Sequence, residues 1–241
     1  FQNAQEEHTI VKRELDGEAD GVIVEPYSSE ADVILPTESA KPVVLVGTGI
    51  ETDRLFTSVM TDHGKLGKSL ADAVIQGKAV KVGILSGNQS QLGMRQRLKS
   101  VKDNLAEAGI EISWILSEKE LDKKMRNVEY FAEHPVDTVI SLDNDDTEKA
   151  VDIILNDDSI SWKLYGEGRS EKLIYYLDKG TIQELAVPNE YYMGYQSIVL
   201  AAQNIRYYTD KTEQAEVEFY MVSKDNLYDE ETSRILFPAV R

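Results

Sequence analysis

Four polar side chains stand where the chain leaves a predicted strand, or one loop beyond it: Arg97, Asp143, Glu167 and Asn189. An arginine guanidinium offers five N–H donors in a planar fork, which suits paired hydroxyls or a carboxylate. A guanidinium that faces two carboxylates partly neutralises them and leaves acceptor oxygens for the hydroxyls or amine of a ligand. These residue types therefore predict a binding site for a small polar molecule. We expect the loss of Arg97 to cost such a site about 2–3 kcal/mol and to leave the fold intact.

Each acidic or basic member of this set also has a purely structural alternative. Arg97 could pair with one of the many surface carboxylates, and Glu167 could belong to a solvated turn. Asp143 could cap the helix that follows it, a role that Asn144 or Asp145 would fill equally well. The sequence leaves these alternatives open.

Motifs for catalysis, phosphate binding and calcium binding are incomplete in this chain. Gly67-Lys68-Ser69 has Asp62 where a phosphate-binding loop needs its first glycine. The acidic run after Leu142 has Glu148 where a calcium loop needs its glycine. The histidines are scattered without metal-ligand spacing: His8, His63 and His134. We therefore predict a protein without catalytic residues, cofactor or metal, and an α/β enzyme is the disfavoured alternative.

The segment from Trp162 to Ile205 indicates how the polar side chains are positioned, since it is predicted as strand, loop, helix, strand, loop and helix. Gly180 is expected to end its first helix in the left-handed conformation. Short apolar strands alternate with amphipathic helices along most of the chain, which is typical of parallel sheets covered on both faces. The carboxyl ends of parallel strands share one edge, so Arg97, Asp143 and Glu167 should converge there.

The composition restricts the partners of the protein. With 241 residues the chain is long enough for one large domain or two modest ones. Its net charge of −17 disfavours a nucleic-acid partner, because nucleic-acid binding depends on basic patches. The chain has no cysteine, which excludes disulfides and thiolate chemistry.

Four segments in order carry a resemblance to a known family. They are Lys41 to Val46, Val82 to Gly87 with Arg97 after it, Thr138 to Asp145, and the stretch around Glu167 that continues as LDKGTI and VPNEYYMGY. In this order and spacing the chain resembles the type I periplasmic solute-binding proteins. That family includes ribose- and galactose-binding proteins and the ligand-binding cores of lac-repressor-type regulators.

The resemblance implies an α/β fold of two lobes, each a parallel sheet flanked by helices. The first lobe would hold residues 1–61 plus 189–221, and the second 62–188 plus 222–241. The chain would cross between lobes near Asp62, Pro188 and Val222, where hinges are expected. The family has a strand, a helix and a strand before the helix that Ala4 to Leu15 resembles, so the first lobe is expected to be N-terminally truncated.

The resemblance also implies a function. Arg97 matches the family arginine that binds ligand hydroxyls, Glu167 the family aspartate, and Asp143 a common asparagine. Thr48 stands where sugar binders have an arginine, so Thr48 and Asn189 are expected to complete an interlobe ligand site. The predicted protein is extracytoplasmic and delivers a carbohydrate-like ligand to an ABC permease. The alternative is a ligand-sensing domain, of a membrane sensor or of a lac-repressor-type regulator. An amine, an aminosugar, a nucleoside or a larger glycoside would also suit the acidic set.

Overall fold

The structure is a computed structural model that describes residues 3–30, 41–53, 55–125, 129–207 and 212–237. Within it the chain separates into two compact units, which are called unit 1 and unit 2 below. The segments of unit 1 are Phe1–Asp62, Ser90–Arg95 and Asn189–Glu218, and those of unit 2 are His63–Gln89, Gln96–Pro188 and Phe219–Arg241.

The segments of these units differ from the predicted lobes in three places, of which one is a single residue, since Asp62, predicted in the second lobe, belongs to unit 1. Residues 219–221, predicted in the first lobe, belong to unit 2 because the strand Phe219–Ser223 pairs with the strand Ile182–Pro188 of that unit. Ser90–Arg95, predicted in the second lobe, belongs to unit 1. Its backbone explains this, since the carbonyl of Ser90 accepts a hydrogen bond from the Ser29 amide of unit 1 at 2.8 Å.

Unit 1 contains a four-stranded parallel sheet in the order β1-β2-β3-β9. Its strands and main helices are β1 (Val22–Val24), β2 (Val43–Gly47), β3 (Thr57–Met60), β9 (Gln214–Glu216), α1 (Ala4–Asp16) and α8 (Glu190–Tyr207). The side chains of successive residues in β2 lie on opposite faces of this sheet, as strand geometry requires. Leu45 packs with Val11 of α1, whereas Val44 packs with Met193 of α8. The apolar run in β2 is therefore explained by burial on both sides.

Unit 2 contains a six-stranded sheet in the order β10-β8-β7-β6-β4-β5, parallel except for the antiparallel edge strand β10. Its strands are β4 (Lys81–Leu85), β5 (Glu111–Leu116), β6 (Thr138–Ser141), β7 (Lys163–Glu167), β8 (Ile182–Pro188) and β10 (Phe219–Ser223). Its helices are α2 (His63–Gln76), α3 (Leu92–Glu107), α4 (Glu118–Lys124), α5 (Glu129–Glu133), α6 (Asn144–Asn156), α7 (Glu171–Lys179) and α9 (Glu230–Leu236), of which α3 begins in unit 1.

The core of unit 2 is built around three aromatic rings. Trp114 lies 5.8 Å from Phe131 and 6.0 Å from Trp162, measured between ring centroids. Helix α6 packs on β6 and β7, and α7 packs on β8. Gly180 ends α7 with φ of 83°, so the predicted left-handed position is confirmed. The predicted α/β class, with parallel sheets flanked by helices, is also confirmed.

Candidate functional site

Arg97 lies in α3 with its guanidinium at the carboxyl edge of the unit 2 sheet. Its Nε donates a hydrogen bond to Nδ1 of His63 at 3.0 Å, and its Nη1 donates to the carbonyl oxygen of Leu142, directly after β6. The residue is only 5 % exposed. The prediction that its loss leaves the fold intact assumed a solvent-lined position, whereas a buried charge with several fixed partners also contributes to stability.

Glu167 is the last residue of β7, and its Oε2 lies 3.3 Å from Nη1 of Arg97. Both side chains are almost fully buried, so Glu167 does not belong to a solvated turn. Burial of the two charges strengthens their attraction because the local dielectric is low. The strand-edge geometry expected from the sequence thus brings Arg97 and Glu167 together.

The two glycines beside Glu167 are required by close packing. A Cβ on Gly166 would lie 2.5 Å from the Thr147 side chain, and Gly168 has φ of 138°, a conformation that other residues rarely adopt. The single proton of the Thr147 hydroxyl is shared between two carbonyl oxygens, that of Glu167 at 2.8 Å and that of Asp143 at 2.6 Å. Helix α6 therefore fixes the backbone from which the Glu167 carboxylate projects.

Asp143 is the N-cap of α6, where its side chain accepts a hydrogen bond from the amide of Asp146 at 2.8 Å. The structural role left open by the sequence is thus filled by Asp143 itself. Among the described residues, no hydrogen bond or ion pair joins Asp143 to Arg97. Burial raises the pKa of the Asp143 carboxyl, and the positive charge of Arg97 acts in the opposite direction. Asp143 is therefore electrostatically linked to the pair without contacting it.

Asp146 is a fully buried acid that the sequence did not single out. Its carboxylate accepts from the Gly87 amide at 3.2 Å and lies 3.4 Å from Nζ of Lys149. Burial, with the nearby charge of Asp143 as the next cause, raises the pKa of Asp146 to about 7. Lys149 also pairs with Asp122 at 2.8 Å. Asp146 and Asp122, which lie on different helices, share one lysine here, so they compete for a single positive charge.

Thr48 and Asn189 lie in unit 1 and are engaged in local structure. The Thr48 hydroxyl oxygen accepts a hydrogen bond from the amide of Gly93 at 2.9 Å, in the first turn of α3. Asn189 precedes α8, and its side-chain oxygen accepts from the amide of Tyr192 at 3.1 Å. Both residues thus satisfy amides at helix starts, and their role in ligand binding stays a prediction.

Gly67 of α2 lets that helix approach α3 at the position of Arg97. A Cβ on Gly67 would lie 2.5 Å from the Arg97 carbonyl oxygen, which is backbone and cannot swing away. The glycine of the incomplete phosphate motif is thus explained by helix packing. Gly67 is required by the close approach of the α2 and α3 backbones, and not by a phosphate.

Replacing Gly67 by alanine should therefore destabilise unit 2 by about 1–3 kcal/mol, because the helices must separate to admit the methyl group. Gly194 in α8 provides the matched control, since nothing lies within 4 Å of its added Cβ. Gly194→Ala should stabilise by up to about 1 kcal/mol through helix propensity alone. Urea unfolding of both variants measures this, and a Gly67→Ala protein as stable as the parent would contradict the packing argument.

The comparison with family models gives a match over residues 1–208 to a family described as periplasmic binding protein domain. The chain belongs to this family. The membership predicted from Arg97, Glu167 and the surrounding segments is thereby confirmed. A search of curated proteins gave no match.

Solved structures with the same fold cover nearly all of this periplasmic binding protein. A carbohydrate transporter solute-binding protein from Agrobacterium radiobacter, in complex with D-arabinose, matches with a TM-score of 0.84 at 17 % identity, over 95 % of this chain and 82 % of the other. A Caulobacter myo-inositol binding protein bound to myo-inositol gives 0.83 at 19 %, over 97 % and 83 %. A glucose-galactose binding protein from Geobacillus stearothermophilus gives 0.79 at 21 %, over 94 % and 84 %.

Two further findings concern metal ions and membranes. Across the described ranges, no group of three or more histidine or acidic side chains is arranged to hold a metal ion. None of the described helices combines the length and the apolar character needed to cross a membrane. The side chains at this edge of the sheet are hydrogen-bond donors and acceptors: the guanidinium of Arg97 and the carboxylates of Glu167 and Asp143.

Proposed function

We propose that this periplasmic binding protein captures a sugar or a closely related polyhydroxylated molecule. The observation that carries the proposal is the buried pair of Arg97 and Glu167 at the carboxyl edge of the sheet, in a chain of this family. The solved structures of the same fold are described with D-arabinose, myo-inositol, D-fucose and D-allose bound, which supports a polyhydroxylated ligand.

The donors and acceptors of the pair suit neighbouring hydroxyls. Nη1 of Arg97 is engaged by Leu142 and Glu167, while none of the contacts within the described residues uses Nη2. Two N–H groups of Nη2 are therefore left to donate to ligand oxygens. Glu167 supplies acceptor oxygens for ligand hydroxyls, and a charged partner makes each such hydrogen bond stronger than a neutral one.

Asp143, Thr48 and Asn189 are proposed as additional contacts. One oxygen of Asp143 is used by the helix cap, and the other is in no contact within the part of the chain that is described. Thr48 keeps its hydroxyl hydrogen for donation, since its oxygen already accepts from Gly93. Asn189 keeps its amide N–H groups for the same use. These contacts would add direction and selectivity to the hydrogen bonds of the Arg97–Glu167 pair.

We also propose that the protein works outside the cytoplasm and delivers its ligand to an ABC permease. Several of the similar solved structures are described as solute-binding proteins of ABC transporters, which favours transport over the sensing alternative. Family membership implies an extracytoplasmic location. A net charge of −17 also favours a protein that works away from nucleic acid.

Thermal-shift measurements with D-arabinose, myo-inositol, D-fucose, D-glucose, D-galactose and D-allose test the function. A bound sugar at 100 times its dissociation constant should stabilise the protein by about 2.7 kcal/mol and raise the melting temperature. Sorbitol at equal concentration controls for the general stabilising effect of polyols. Aminosugars and nucleosides extend the panel. A response to none of the sugars, with a clear response to a nucleoside or an amine, would overturn the sugar assignment.

A further inference from the structure

The guanidinium of Arg97 is held through two of its nitrogens, Nη1 and Nε. Leu142 and Glu167 engage Nη1, at the end that faces the sheet. His63 engages Nε, at the end where the guanidinium joins its aliphatic stem. Among the described residues His63 is the only partner of Nε. A planar group held at Nη1 alone can rotate about that contact, and a second contact at Nε stops the rotation.

The contact at Nε determines the state of the His63 ring. Arginine carries only donors, so Nδ1 of His63 must be the acceptor in the 3.0 Å hydrogen bond. A ring nitrogen that accepts has no proton, which makes His63 the neutral tautomer with its proton on Nε2. His63 is 5 % exposed, so water competes little for this nitrogen. The bond is therefore a directional, charge-assisted one.

The helices that carry His63 and Arg97 are fixed to each other close to this bond. His63 begins α2, and Gly67, one turn later, allows the backbone of α2 to lie against the backbone of Arg97. The Ser100 hydroxyl of α3 lies 2.8 Å from the Gly64 carbonyl oxygen of α2 and donates to it. The position of the imidazole relative to Arg97 is thus set by rigid elements on both sides of the hydrogen bond.

We propose that His63 is a positioning residue for ligand binding, which fixes the plane of the Arg97 guanidinium so that the N–H groups of Nη2 face the ligand. This inference rests on the proposed function, because it concerns the same arginine. A histidine that only fills space would change stability when replaced. A histidine that positions Arg97 also changes affinity, and it does so only while Arg97 is present.

The first test needs no ligand and follows the Nε–H resonance of Arg97 by ¹⁵N NMR. In the parent protein this proton should exchange slowly with water. His63→Leu removes the acceptor and should restore fast exchange, whereas His63→Asn places an amide oxygen where Nδ1 was and should keep exchange slow. His63→Gln places its oxygen one bond further out and should resemble leucine. Slow exchange in His63→Leu would overturn the proposal.

The second test measures affinity by calorimetry for whichever sugar of the panel binds most tightly. His63→Leu should weaken binding by about tenfold or more, the effect of one hydrogen bond to a charged group, and His63→Asn should recover most of it. His134→Leu, at an exposed histidine, is the matched control and should leave affinity unchanged. In an Arg97→Leu background His63→Leu should have no further effect, because the residue acts through Arg97.

The outcomes separate the two proposals. If no sugar of the panel binds, the proposed function fails and this inference fails with it. If sugars bind and Arg97→Leu binds them as the parent does, the proposed site and this inference fail, and the sugar-binding function stands. If Arg97→Leu loses affinity while His63→Leu retains it, only the role of His63 is overturned. An equal loss from His63→Leu in the presence and absence of Arg97 would also overturn it, because the effect would then be a general structural one.

Discussion

Replacing Arg97 by leucine is expected to weaken sugar binding by about 2–3 kcal/mol and to lower the free energy of unfolding of unit 2 by about 3–5 kcal/mol. Both effects follow from the same geometry. The guanidinium carries the proposed ligand donors of Nη2, and it lies 3.3 Å from the buried carboxylate of Glu167. Without the guanidinium, the Glu167 carboxylate stays buried and loses the positive charge that it faces. Calorimetry with the best-bound sugar and urea unfolding of the ligand-free protein measure the two effects separately.

Arg97→Lys separates charge from geometry. A lysine keeps one positive charge near Glu167 and lacks the planar fork that reaches His63 and Leu142 together. We therefore expect it to recover part of the stability and little of the affinity. If Arg97→Leu lost stability alone and bound sugars as tightly as the parent, Arg97 would be a structural residue and the site would have to lie elsewhere.

The pairing of Arg97 with Glu167 could be anticipated from the sequence for a general reason. Glu167 ends one strand, and Arg97 follows another by a short loop and the first turn of a helix. In a parallel sheet those positions share one edge however far apart they lie in the chain. Alternating strands and helices predicted the convergence, the resemblance to the family singled out these two residues, and the glycines beside Glu167 indicated that the backbone is approached closely there.

The burial of the site residues and the contacts between helices could not be predicted from the sequence in the same way. His63 reaches Arg97 across the contact between α2 and α3, and helix contacts depend on packing that periodicity does not specify. Asp146 was counted only within a failed calcium motif, since a sequence shows the spacing of acids but not their burial. Residues 219–221 of the edge strand β10 were placed in the first lobe, because the antiparallel pairing of β10 with β8 could not be recognised from local pattern.

Thr48 and Asn189 illustrate a different limit. Asn189 was singled out by its position after a strand and Thr48 by its place in the family resemblance, and both accept a hydrogen bond from an amide at the start of a helix. Short polar side chains at such positions satisfy free amides as readily as they bind ligands. Position alone therefore cannot separate the two roles, and a contact such as that between Arg97 and Glu167 is a stronger indicator.

The protein is also expected to lose stability as the pH rises from about 5 to about 8, because of Asp146. Its pKa is raised to about 7 in the folded protein, from 3.8 as the ordinary value, by burial and by the charge of Asp143. Between these two values the folded state binds more protons than the unfolded state, so the free energy of unfolding falls with pH. The difference between these two pKa values corresponds to a loss of about 2–4 kcal/mol in the free energy of unfolding once Asp146 is fully ionised. The raised pKa of Asp143 also makes the free energy of unfolding fall as the pH rises.

Asp146→Asn should remove most of this pH dependence. The asparagine keeps one oxygen to accept from Gly87, and Lys149 keeps its ion pair with Asp122 at 2.8 Å, so the variant removes the buried charge with little other change. Asp158→Asn removes an exposed charge from the loop after α6 and serves as the control, with the slope of the parent. Urea unfolding at half-unit steps from pH 5 to pH 8.5 gives the slopes. Because carboxyls elsewhere in the chain also titrate, the decisive quantity is the difference between parent and variant. If Asp146→Asn retains the parental slope, Asp146 stays ionised throughout this range, and Lys149 and the Gly87 amide are sufficient to stabilise the charge.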